Sequence, residues 1–233
     1  MNLTSMIKRK THKNRTAGSS YFELLKIFSK EGCPICLSTN KLIDEYFDNL
    51  LYENVNDPFL RTKIRKSFGY CKKHSLQIER VAENTFQGSG LAIIIEDLSN
   101  LLLKKYEEIA NTTSKKQNSK KQRYYQCPAC SYQFTFEQIY ASEIAYGIKE
   151  EAFFNEFKKS GGLCLHHLTE VTKHITDPDD LKRLIEYHVS SLGMIIKDIN
   201  SFIDKQDYRN KERITVKEAE ARKKALRKII GEL

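Results

Sequence analysis

The residues best placed to do chemistry are cysteines. All six, with two of the six histidines, fall into two copies of one pattern. The first copy reads Cys33-Pro34-Ile35-Cys36, then the stretch Leu37 to Tyr70, then Cys71-Lys72-Lys73-His74. The second reads Cys127-Pro128-Ala129-Cys130, then the closely matched stretch Ser131 to Leu163, then Cys164-Leu165-His166-His167. A C-P-x-C turn can aim two thiolates at one ion. A C-x-x-H in the first turn of a helix puts sulfur and imidazole on one face, because positions i and i+3 are neighbours there. Joining the two pairs within each copy gives a Cys3His set, a ligand combination of structural zinc. The expectation is two zinc ions per chain: one on Cys33, Cys36, Cys71 and His74, the other on Cys127, Cys130, Cys164 and His167. Three thiolates leave a filled site with a net charge of about −1, which Lys72 and Lys73 would favour. In the second copy the C-x-x-H spacing selects His167 over His166. His12, His174 and His188 lack any partner pattern.

Other cysteine chemistry fits less well. Cytosolic disulfides are rare, and a thioredoxin-like pair needs a βαβ context that is missing. Haem attachment needs His directly after the second Cys, where Leu37 and Ser131 stand. An iron–sulfur or thiol redox protein using the same eight residues is the alternative, since cysteine-rich sites serve both metals. Four good ligands per copy close each site, which points to a structural ion rather than a catalytic one. The sequence has no G-x-S-x-G, P-loop, H-E-x-x-H or dinucleotide fingerprint, so an enzyme is not expected. Neighbouring carboxylates at Glu96-Asp97 point in different directions on a helix, and Asp57 has a sufficient explanation as a helix cap.

The ligands need helices to position them. The set Leu42, Ile43, Tyr46, Phe47, Leu50 and Leu51 makes one apolar helical stripe after Cys36. Phe134, Phe136, Ile139, Tyr140 and Ile144 form a looser counterpart after Cys130. Asp57-Pro58 predicts a capped helix to about Lys66. Gly69 and Gly162 allow a tight turn before each third cysteine. A helix follows each C-x-x-H, and Gly88-Ser89-Gly90 and Asp177-Pro178 launch the longest ones. No segment alternates with period two, so the fold class is all-α: two duplicated helical modules, each stapled by a Cys3His site. The expected layout is a basic arm over 1–20, modules over 21–110 and 125–204, a polar linker over 111–124 and a helical tail over 205–233.

Net charge is +9, and its distribution is uneven. Segments 1–20, 104–126 and 205–233 each carry +5, whereas 21–103 and 127–204 carry −1 and −5. The basic segments suit an anionic partner such as nucleic acid, although no nucleic-acid reading motif accompanies them. Ala219, Leu226 and Leu233, seven apart, with Ile229 and Ile230 beside them, predict an amphipathic tail helix that docks or weakly self-associates rather than binding a membrane. The longest aliphatic run, Leu91–Ile95, is far short of the roughly 20 residues of a membrane helix. The first residues lack the apolar stretch of a secretory signal. A cytoplasmic location with reduced thiols and no membrane partner is therefore expected.

The run LLYENVNDPFLRTKIRKSFGYCKKH, with GCPICL before it and GSGLAIIIEDL after it, resembles an uncharacterised prokaryotic family, a domain of unknown function with CPxC and GFCxxH elements. The resemblance covers roughly Tyr21 to Leu103. The second copy is similar more loosely, with Gly161-Gly162-Leu163 where the first has Phe68-Gly69-Tyr70. The resemblance implies a fold and metal ligands but no reaction.

Overall fold

A computed structural model describes residues 19–111 and 126–232 of the chain. The expected arm over 1–20, apart from Ser19 and Ser20, and the expected linker, apart from Asn111, lie outside the described residues. Those described form helices joined by turns, with no strand among them. The fold is all-α, as the apolar periodicities require.

The duplication is visible as one helical order used twice. In the first copy α2 (Pro34–Tyr52) starts at the C-P-x-C, α3 (Pro58–Lys66) is short, α4 (Lys72–Asn84) carries the C-x-x-H, and α5 (Gly88–Asn111) is long. The second copy repeats this with α6 (Pro128–Gly147), α7 (Glu151–Lys159), α8 (Leu165–Thr172) and α9 (Pro178–Asp204). Outside the repeat lie α1 (Ser19–Ile27) and α10 (Val216–Ile230). Local chemistry sets these boundaries. Asp57 caps α3, its carboxylate accepting the Leu60 N–H at 2.7 Å, with Pro58 at the first helical position. Asp177 and Pro178 do the same for α9, through the Asp179 N–H at 2.9 Å. Thr215 and Glu218 form a reciprocal capping box at the start of α10.

The described residues divide into two compact units. One takes the chain up to Cys36 together with Ile139 onward; the other runs from Leu37 to Gln138. Helices α2 and α6 therefore each begin in one unit and continue in the other. In the second unit Ile43, Phe47, Leu50 and Leu51 of α2 pack with Ile64, Ile78, Val81 and Ile94. That is the predicted stripe. In the first unit Phe28 meets Phe153 and Phe157 edge to face at 5.1 and 5.7 Å, and Leu24, Ile144, Val171 and Leu184 are buried. Phe134 departs from its predicted stripe and stands exposed. The α6 turn it belongs to buries Glu137 instead. No helix of the described residues is long and apolar enough to cross a membrane.

Candidate metal centres

Each C-P-x-C sits at the start of a helix, and each C-x-x-H begins another. Cys71 and Cys164 are the N-cap residues of α4 and α8, with extended backbone. Pro34 and Pro128 stand at the first positions of α2 and α6. A proline there gives up no hydrogen bond and pre-sets the helical φ. Helix N-termini present unpaired N–H groups and the positive end of the helix dipole, which favour thiolate over thiol.

The chain delivers the C-x-x-H ligands through a left-handed turn. Gly69 and Gly162 have φ of 91° and 88°, and the residues before them, Phe68 and Gly161, are also left-handed at 53° and 83°. The second copy thus uses glycine where the first strains a phenylalanine. In the second copy the turn is held further by His188. The Leu163 N–H donates to His188 Nε2 at 2.9 Å, so His188 Nδ1–H donates to the Leu184 carbonyl at 2.8 Å. Burial pushes the His188 imidazole down to about 4, so it stays neutral in this role. No spacing rule in the sequence singles this histidine out.

The eight side chains converge on two points, four at each, as two Cys3His sets. Their partnering differs from the expectation of one set per copy. Cys33 and Cys36 of the first copy meet Cys164 and His167 of the second, whereas Cys71 and His74 of the first meet Cys127 and Cys130 of the second. The copies exchange their C-P-x-C elements. The reason lies in α2. His74 packs on Phe47, their rings 6.3 Å apart. Phe47 is three helical turns beyond Cys36 on the same rigid rod, which keeps Cys36 and His74 from sharing an ion.

Within each set one S···S edge and the three S···N edges come close to those of a tetrahedral shell. A tetrahedral zinc with Zn–S near 2.3 Å requires S···S edges of about 3.8 Å and S···N edges of about 3.6 Å. In the buried centre Cys36 and Cys164 sulfurs are 3.8 Å apart, and His167 Nδ1 lies 3.4, 3.2 and 3.3 Å from Cys33, Cys36 and Cys164. In the half-buried centre Cys71 and Cys130 sulfurs are 3.6 Å apart, and His74 Nδ1 lies 3.3, 3.6 and 3.3 Å from Cys71, Cys127 and Cys130. Both histidines offer Nδ1. Of the adjacent pair, His166 is exposed while His167 is buried against the sulfurs.

The surroundings tune these groups. His74 Nε2–H donates to Gln133 Oε1 at 2.9 Å, and the Gln133 amide donates to Glu137 at 2.6 Å. That chain fixes the tautomer with the Nδ1 lone pair toward the thiols, the form a metal ligand needs. Sequence reasoning missed Gln133 and Glu137, although their spacing of three and seven residues from Cys130 on α6 could have placed them on its face. Burial also lowers His74, which keeps it neutral. Among the thiols, hydrogen bonds from Cys33 and Cys36 hold Cys164 far below the ordinary range, while burial pushes Cys33 well above it. Burial with the adjacent Cys71 sulfur raises Cys130 to about 12. For Cys71 burial opposes ionisation, but the His74 N–H and the neighbouring thiols outweigh it and lower the group. Crowded thiols cannot all ionise by themselves, whereas a dication among them deprotonates every one.

The rest of the sequence-derived candidates have structural roles. Asp97 accepts a two-pronged contact from Arg65 at 2.7 and 2.9 Å and pairs with Arg61 at 3.1 Å. Lys72 is exposed, and Lys73 donates to Gln133 at 3.3 Å.

The chain belongs to the Family of unknown function (DUF6062), whose model matches residues 2–114 and, overlapping them, 29–233. The resemblance carried by the GCPICL and GYCKKH segments thus extends over most of the chain. The chain is also similar to an uncharacterised 23.9 kDa protein encoded in the xynA 3′ region of Caldicellulosiruptor sp. (strain Rt8B.4). The two are 28% identical over 188 residues, 80% of this chain and 88% of that protein. No solved structure matches the chain.

Proposed function

We propose that this chain is a zinc-stabilised helical scaffold, with one zinc ion in each Cys3His set. The observation that carries the reading is the edge lengths: all four ligand atoms of each set lie within 4.8 Å of one another, around room for a single ion. An iron–sulfur cluster would spread its four ligands over several metal atoms. Three sulfurs and one imidazole close a tetrahedral shell and leave no position for substrate or water, which favours a structural ion over a catalytic one. Such an ion supplies folding free energy directly, because an unfolded chain cannot assemble the site. The scaffold's basic segments over 1–20 and 205–233 suit an anionic partner such as nucleic acid, and free thiols suit a cytoplasmic setting. Elemental analysis of untagged protein purified without oxygen tests the metal. Two zinc per chain is expected; iron with acid-labile sulfide overturns the reading in favour of redox chemistry. Deleting 1–20 and replacing the exposed Lys211, Arg222 and Lys223 with Gln, which leaves α10 in place, is expected to weaken salt-sensitive binding to a polyanion such as double-stranded DNA, and unchanged binding removes the partner proposal.

A further inference from the structure

The two sets contain the same ligands in unlike surroundings. In one, Cys33, Cys36, Cys164 and His167 are 3%, 8%, 2% and 3% exposed. In the other His74 is buried, but Cys71, Cys127 and Cys130 are each only half-buried. The difference traces to α10 and the two residues after it. Gly231 ends that helix in a left-handed turn at φ 85°, its N–H donating to the Arg227 carbonyl at 2.9 Å. A Cβ at Gly231 would lie 3.0 Å from Cys36 Sγ and 3.6 Å from Cys164 Sγ, so the bare backbone rests on both sulfurs. Glu232 accepts the Cys33 N–H at 3.3 Å. Lys228 donates to the carbonyls of Gly161 and Leu163, the turn that delivers Cys164. One short segment therefore touches both halves of the ligand set.

That segment is tied down along its length. Lys224 pairs with Glu31 at 2.7 Å and Arg227 with Glu232 at 3.1 Å. Further back, Glu218 accepts from Ser201 at 2.6 Å and Lys205 at 2.9 Å, and Lys217 pairs with Asp198 at 3.1 Å. A cavity of about 180 Å³ does reach Cys33 and Cys164, but Lys217, Lys224, Arg227 and Lys228 of α10 line it. Among the described residues, the first copy has no counterpart of α10 following α5.

Resting on the metal reading above, we infer that residues 228–232 are a clasp that locks the ion of the buried centre, and that the half-buried centre is where metal exchanges. A chelator or a competing thiophilic ion removes zinc by displacing one thiolate at a time. Cys71, Cys127 and Cys130 are each only half-buried, so less structure has to move before a competitor reaches them. At Cys33, Cys36 and Cys164 the end of α10 must lift first, and that local opening adds to the barrier.

Full-length protein loaded with two zinc ions and mixed with excess 4-(2-pyridylazo)resorcinol tests this. Release is expected in two phases of one zinc each, separated by roughly tenfold or more in rate as local opening requires. Cys127→Ser is expected to remove the fast phase alone. Gly231→Val, which drives a side chain against Cys36, is expected to move the slow phase toward the fast one. Should that variant fail to fold, Glu232→Ala with Lys228→Met tests the same clasp without altering the turn. A single phase for both ions, or a slow phase unmoved in either clasp variant, overturns the inference and leaves the metal reading standing. A protein that takes up no zinc overturns both.

Discussion

Exchange of the C-P-x-C elements makes a prediction that separates it cleanly from two self-contained modules. Cys36→Ala combined with Cys164→Ala removes two ligands from one centre in the crossed arrangement, so one zinc per chain should remain. Cys36→Ala combined with Cys71→Ala removes one ligand from each centre, so metal content should fall toward zero. Within-copy pairing predicts the reverse for both. The cost in stability can be worked from the cross-links. The buried centre ties Cys36 to Cys164 across 128 residues, the other ties Cys71 to Cys130 across 59. Treated as loop closures, they constrain the unfolded chain by about 5 and about 4 kcal/mol respectively. Emptying the buried centre should therefore lower the urea midpoint more, with a difference of about 0.5–1 kcal/mol from loop length alone. Metal content by mass spectrometry and urea unfolding of the same samples are the assays. If Cys36→Ala/Cys164→Ala is metal-free while Cys36→Ala/Cys71→Ala keeps one zinc, the crossed geometry is wrong.

Three further outcomes follow from single contacts. Gln133→Ala frees the far side of the His74 ring and should weaken zinc at that centre by roughly 10–100-fold while sparing the other, as read by competitive chelation of each phase. Phe68→Gly relieves a left-handed phenylalanine and should raise stability by about 1 kcal/mol; a loss in thermal unfolding would show that its packing outweighs the strain. His188 is held down at about 4 against an ordinary value near 6.5. Above 6.5 both folded and unfolded forms are neutral. As pH falls from there the unfolded chain binds a proton the folded one refuses, so stability drops until about pH 4, by at most about 3 kcal/mol. At fixed zinc, His188→Gln should flatten that part of the pH profile relative to the parent; parallel profiles would count against the assigned role.

The eight candidate ligands and most helix boundaries were legible because each depends on a few neighbouring residues. C-P-x-C and C-x-x-H are local geometries, Asp57-Pro58 and Asp177-Pro178 are local caps, and the Leu42–Leu51 stripe is one face of one helix. Which pair shares a site was not legible. Both C-P-x-C pairs can bond either C-x-x-H equally well, so ligand type carries no partner information. The choice is made by rod lengths: α2 places its apolar stripe, and with it His74 against Phe47, three turns past Cys36. Sequence periodicity gives the length of that helix but not which neighbour its stripe will meet. The clasp was hidden for a related reason. Gly231-Glu232 reads as an unremarkable helix end, and only its position over Cys36 and Cys164 gives it a role.

Crossed ligation changes what the duplication means physically. Two self-contained modules could lose one ion and keep the other half intact, since the loops Cys36 to Cys71 and Cys130 to Cys164 would each close on themselves. Here each ligand set joins segments from both copies, and α2 and α6 each start at one set and run on into the hydrophobic core of the unit that holds the other. Stability and metal occupancy are therefore coupled along the whole chain: emptying either centre frees the start of a helix whose far end is core. A clasp on one centre and an open face on the other then divides the labour. Under the clasp proposal a locked ion would keep the long-range connection closed while the accessible one came and went, so the fold would not be undone each time metal exchanged.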